Sequence, residues 1–101
     1  MKLRLLLAAE QDIGKLFLYI RDDLANSIAA QNVAQKILQR IQQLTDFPEL
    51  GASMTVIDTR LENYRYLIVD NYLIVYRYNR DAIYVIRILY ARSDYVRILQ
   101  G

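Results

Sequence analysis

The chain contains no cysteine and no histidine among its 101 residues. The first absence removes disulfides, thiolate nucleophiles and thiolate metal sites. The second removes the side chain that most often serves as a general base near neutral pH, and the commonest zinc ligand. Only three glycines occur, and no glycine-rich phosphate loop, paired-carboxylate signature or histidine-containing nucleophile constellation is found. The expectation is therefore a protein with no cofactor and no metal. No apolar run approaches the roughly 20 residues that cross a bilayer, and the start lacks a charged-then-apolar-then-small cleavage pattern. A cytoplasmic location with no membrane partner is the default expectation.

What is present is enough apolar material for one core. With 54% hydrophobic residues and a mass of 11.9 kDa, the sequence is expected to form a single domain over 1–101, with a two-layer core. Its formal charge is only +2, but unevenly placed. Residues 1–59 carry six basic and seven acidic groups, whereas residues 60–101 carry seven arginines and four acidic groups. Arginine suits bidentate contact with phosphate or carboxylate better than lysine does. The competing reading, arginine as the solvated edge of a sheet, has about equal weight.

Residues 2–8 (KLRLLLA) read as a first strand, at a sheet edge or beside a later strand. From about Ala9 the period becomes helical, with Ile13, Leu16, Phe17, Ile20 and Leu24 on one stripe and Glu10 and Asp12 in the first turn. Gly14 falls inside this helix at a cost of roughly 1 kcal/mol relative to alanine, a hint of close packing. The stretch from Arg21 to Ser27 breaks the pattern, and Asn26 or Ser27 is placed to cap a second helix running to about Leu44. Two amphipathic helices with a short connection form a hairpin that covers one face of a sheet. Pro48 and Gly51 then end the helical part, and residues 52–59 read as a loop or short extension.

The stretch from Tyr64 to Leu99 holds eight of the nine tyrosines and six arginines. It reads as three strands and a short helix, with turns at Asp70-Asn71 and Asn79-Arg80-Asp81. A two-residue first loop pairs Val69 with Tyr72, Leu67 with Ile74 and Arg65 with Tyr76 on one face. A three-residue second loop puts Ile83, Val85, Arg87 and Leu89 on the opposite face, with Tyr84, Ile86, Ile88 and Tyr90 on the first. A one-residue slip there exchanges the two sets. The fold class is thus α+β, with an antiparallel-rich sheet in the order β-α-α-β-β-β, a two-helix hairpin on one face and a short C-terminal helix.

In that order and spacing, three blocks carry a resemblance: Tyr64-Arg65-Tyr66-Leu67, Asn71 to Arg77 (NYLIVYR), and Ile86 to Asp94 (IRILYARSD). The FLYI and FPELG segments add to it, so that it spans essentially the whole chain. The sequence resembles the RelE/ParE superfamily of toxins from bacterial type II toxin–antitoxin modules. The resemblance implies a growth-arresting toxin held inactive by a co-encoded antitoxin. RelE-like members cut messenger RNA on the ribosome, whereas ParE-like members poison DNA gyrase by binding. Leu73 stands where RelE-like members usually have an arginine, and Tyr90 where many relatives have a histidine. The pattern therefore leans toward the ParE-like reading, with gyrase as target. A ribosome-dependent mRNA endonuclease is the alternative, and an inactive relative serving only as antitoxin partner or dimerisation module is a third possibility.

RNA cleavage at the 2′-hydroxyl needs a base, cations for the charged phosphorane and an acid for the leaving oxygen. On the nuclease reading these roles fall to Arg65, Arg87, Arg92 and Tyr90. Tyrosine, with an ordinary pKa of about 10, is better suited to acid or stacking duty than to base duty. Arg77, Tyr95 and Arg97 are the further candidates for contact with target or RNA. The competing structural expectations are that Arg87 pairs with Asp94 or Glu62, and that Asp94 caps the last helix or fixes an arginine.

Overall fold

The computed structural model describes residues 1–101. Strand β1 (Lys2–Leu5) is shorter than its apolar run, because α1 (Leu7–Leu18) starts within that run. Leu6 ends the strand by donating its N–H to the Val85 carbonyl at 3.1 Å. The leucine and alanine residues that follow are good helix formers. A π-helical turn (Tyr19–Asp23) extends α1, and Leu24 closes it with an N–H bond to the Tyr19 carbonyl at 3.2 Å. Ala25 then takes a left-handed conformation, with φ of 51°. Of the two expected caps, Asn26 starts α2 (Ser27–Gln43), its side-chain oxygen accepting the Ala29 N–H at 3.0 Å.

After α2 come β2 (Ala52–Ser53), two short 3₁₀ turns, then β3 (Arg65–Val69), β4 (Tyr72–Tyr78), β5 (Ala82–Tyr90) and α3 (Tyr95–Gln100). The strands form one five-stranded sheet in the order β1-β5-β4-β3-β2, with β1 parallel to β5 and the other pairs antiparallel. The two residues of β2 add an antiparallel edge strand to the expected four. Asp94 caps α3, as one of its two expected roles, by accepting the Arg97 N–H at 3.4 Å.

The β3–β4 register is the expected one, with Val69 opposite Tyr72, Leu67 opposite Ile74 and Arg65 opposite Tyr76. Asp70 meets its turn by taking a left-handed φ of 53°, which a short polar side chain tolerates. The β4–β5 turn departs from expectation. Asn79 donates its N–H to the Ala82 carbonyl, so the loop is one residue tighter, and Tyr78 faces Ile83, Arg77 faces Tyr84 and Tyr76 faces Val85. Ile83 and Val85 therefore join the helix-covered face, and Tyr84 the other.

A β-bulge then reverses the slip. Ile86 is the extra residue, and beyond it Val75 faces Arg87, Ile74 faces Ile88 and Tyr72 faces Tyr90. Ile86 packs on the α3 side, against expectation, while Arg87, Ile88, Leu89 and Tyr90 keep their expected faces. The physical reason is the Asn79 side chain, whose oxygen accepts the N–H groups of Asp81 (2.8 Å) and Ala82 (3.0 Å) and so closes the tighter turn.

Both sheet faces are covered. Helices α1 and α2 bury Leu67, Val69, Ile74, Tyr76, Ile83, Val85 and Ile88 together with Leu16, Ile37 and Ile41. On the other side a smaller cluster of Met54, Leu61, Leu73, Val75 and Leu89 lies beneath α3. Fully burying an aliphatic side chain is worth about 1.5–3 kcal/mol, so the helix-side cluster dominates stability.

The two internal glycines differ in kind. Gly14 is exposed, and a Cβ there would meet nothing within 4 Å in the chain, so close internal packing is not its role. Gly51 is buried, and a Cβ would lie 2.6 Å from the Tyr66 carbonyl oxygen and 2.7 Å from the Tyr76 ring. Gly14→Ala is therefore expected to raise unfolding free energy by about 0.5–1 kcal/mol at low micromolar concentration. Gly51→Ala is expected to lower it by about 1–3 kcal/mol, and denaturant titration of both variants checks the pair.

Candidate functional site

Arg65 begins β3, where it faces the loop after α2. Its Nη2 donates to the carbonyls of Gly51 (2.6 Å) and Glu49 (3.3 Å). Tyr76, fully buried on β4, fastens the same loop: its hydroxyl donates to the Pro48 carbonyl at 2.7 Å and accepts the Gly51 N–H at 2.8 Å. The loop makes one turn bond of its own, from the Leu50 N–H to the Phe47 carbonyl at 3.0 Å, and these two side chains supply partners for the backbone groups of Pro48, Glu49 and Gly51. Arg65 is thus engaged in holding the fold.

Arg87 is engaged too, though with neither Asp94 nor Glu62. Its guanidinium forms a two-pronged pair with Asp12 of α1, Nε at 2.7 Å and Nη2 at 3.0 Å. The same carboxylate accepts the Ile88 N–H at 3.0 Å. Strand β1 pairs with β5 only from Ala82 to Val85, so Asp12 stands in for the missing neighbour strand at Ile88, three residues further along. The Asp12 hydrogen bonds push the Arg87 pKa up further, against a smaller opposing effect of burial.

The remaining candidates lie elsewhere. Tyr90, about half exposed, packs edge to face against Tyr72 with ring centroids 5.8 Å apart. Burial pushes the Tyr72 hydroxyl above its ordinary pKa, with Tyr90, Tyr19 and Asp70 adding to the effect. Tyr95 donates its hydroxyl to the Ala91 carbonyl, and burial, reinforced by Tyr66, raises its pKa as well. Neither tyrosine ionises at neutral pH. Arg92 is exposed in the turn after β5, and Arg97 is exposed on α3, 3.5 Å from Asp94. Arg77 is exposed on β4, level with Tyr84 on the sheet face away from α1 and α2.

The four residues of the nuclease reading do not meet. Arg65 is level with Tyr76, while Tyr90 is level with Tyr72 at the other end of β4, about 13 Å away at 3.3 Å per residue. Tyr90 instead shares an open cleft of about 1140 Å³ with Arg87, between the π-helical turn, the β3–β4 turn and the end of β5. The cleft has an apolar floor (Leu16, Ile20, Val33, Ile88) and a rim of Tyr19 and Tyr72. Sequence reasoning missed Asp12, Tyr19 and Tyr72 here, because no local pattern links residues some 75 positions apart.

A helical hairpin laid on a five-stranded sheet, with its cationic side chains partly consumed by structure and an open cleft with an apolar floor at one sheet end, defines a small α+β module. The chain belongs to the ParE toxin family of type II toxin–antitoxin systems (parDE), whose family model matches residues 3–95. Among solved structures it is similar in fold to the chromosomal ParDE toxin–antitoxin system from P. aeruginosa, with a TM-score of 0.76. That match has 18% sequence identity and covers 91% of this chain and 97% of the other. No curated protein sequence matches significantly.

The engagement of Arg87 has a measurable consequence. Arg87→Ala leaves the Asp12 carboxylate, only 10% exposed, without its counter-charge. A loss of about 2–4 kcal/mol in unfolding free energy is expected. Arg92→Ala is expected to stay within about 0.5 kcal/mol of the parent, and the two variants are compared by urea denaturation.

Proposed function

We propose that this ParE-family toxin arrests growth by binding DNA gyrase rather than by cutting RNA. The observation that carries this reading is the engagement of Arg65 and Arg87, two of the three cations a nuclease site would use, in holding a loop and a helix. A guanidinium fixed in a two-pronged carboxylate pair is not free to stabilise a phosphorane. The raised tyrosine pKa values of Tyr72 and Tyr95 point the same way, since neither supplies a base near neutral pH. Inhibition by binding makes no such demands; it requires exposed groups and apolar surface. Arg77, Arg92 and Arg97 are the exposed arginines we assign to target contact. A cognate antitoxin is the expected second partner, and the apolar cleft supports a protein partner of that kind.

The test is expression of the chain in a bacterial host, with DNA synthesis and protein synthesis followed in the same cells. An early fall in DNA synthesis with induction of the DNA-damage response is expected. An early fall in translation with cleaved messages overturns the reading. The combined Arg77→Ala, Arg92→Ala and Arg97→Ala variant is expected to relieve growth arrest at unchanged thermal stability, and full toxicity in that variant removes the assignment of those arginines.

A further inference from the structure

Helix α1 has two faces, of which the fold uses one. Ala9 and Leu16 form the buried pole of the helix. Diametrically opposite, at the 4-3-4 spacing of a coiled-coil seam, lie Leu7, Gln11, Gly14 and Leu18. Leu7 is 68% exposed and Leu18 48% exposed, although each carries a large apolar side chain on a helix that otherwise buries such groups. Between them sits Gly14, in a helix interior where glycine is unfavourable and where no atom of this chain approaches. A bare glycine in a seam lets a second helix come close.

The flanks of the seam carry charge. Glu10 precedes Gln11 and Lys15 follows Gly14, both exposed and neither in an ion pair within the chain. In heptad terms they occupy the g position and the following e position. That is the pair which meets across a parallel two-stranded seam, from residue i of one helix to i+5 of the other. About a two-fold axis the pair forms twice, Glu10 to the partner's Lys15 and Lys15 to the partner's Glu10, while the leucines and glycine meet their own counterparts. The charge pattern is self-complementary in this one orientation.

We propose that the outer face of α1 is a self-association surface, on which a second copy of this chain packs with the two α1 helices parallel. Its four seam residues form a patch below the standard interface size, so the dimer is weak and concentration-dependent. The surface lies opposite the sheet-facing side of α1, and its use is independent of whether gyrase is the target.

The experiment is sedimentation equilibrium of the purified chain from low micromolar to near millimolar concentration. A reversible monomer–dimer equilibrium is expected. Leu18→Glu should abolish it, and Glu10→Lys alone and Lys15→Glu alone should each weaken it by about tenfold, the loss of two exposed ion pairs. The double exchange Glu10→Lys with Lys15→Glu restores the pairing and should return the parent affinity at unchanged thermal stability. Because the chain has no cysteine, Gly14→Cys offers an orientation readout: in a parallel seam it joins to its own counterpart under mild oxidation. Gln35→Cys on the outside of α2 is the control and should not. A monomer throughout the range, a double exchange that fails to recover association, or equal cross-linking at Gln35 overturns the proposal.

Discussion

The Asp12 carboxylate does three things at once, and the seating of α1 against β5 depends on it. It accepts two hydrogen bonds from Arg87 and one from the Ile88 N–H, all within 3.0 Å. A sheet edge left open beyond Val85 would expose unpaired backbone groups, the usual invitation to unwanted strand pairing. One side chain from α1 closes that edge, fixes the helix on the strand and neutralises a cation in a partly buried place. The β-bulge at Ile86 lies directly before this contact, where it restores the face from which Arg87 reaches Asp12 at the open edge of β5.

A second fastening lies across β4 from the first. Tyr76 is fully buried, yet its hydroxyl has both a donor and an acceptor role filled by the backbone of the Pro48–Gly51 loop. Arg65 adds two further bonds to the same loop. Gly51 is the residue that lets the Tyr76 ring come so near, since any Cβ there would overlap it. Two polar fastenings on either side of β4 thus turn a hydrophobic sandwich into one defined arrangement.

These fastenings bear on what the protein does. A nuclease of small size must aim several cations and a proton acceptor at one phosphate; here Arg65 and Arg87 are spent on architecture on either side of β4. What stays free is a scatter of exposed arginines, an open apolar cleft and the uncovered outer face of α1. All three are open surfaces, in line with the binding mode proposed above for this ParE-family toxin.

Much of this was legible in the sequence, and for a local reason. Helix periodicity, the Asn26 cap, the Asp70-Asn71 turn and the β3–β4 register all depend on residues a few positions apart, so side-chain type and spacing specify them. The three blocks from Tyr64 to Asp94 identified the superfamily in the same way. The β4–β5 register was not legible, because the Asn79 turn and the Ile86 bulge shift it in opposite senses, and neither is encoded by alternation alone. Nor was the fate of the arginines. Whether Arg87 meets Asp12, Asp94 or Glu62 is decided by which helix lies beside the free edge of β5, a contact between residues 75 positions apart. Sequence determined the elements, because their causes are short-range; tertiary structure decided which charges were left for function, because ion pairing follows proximity in space.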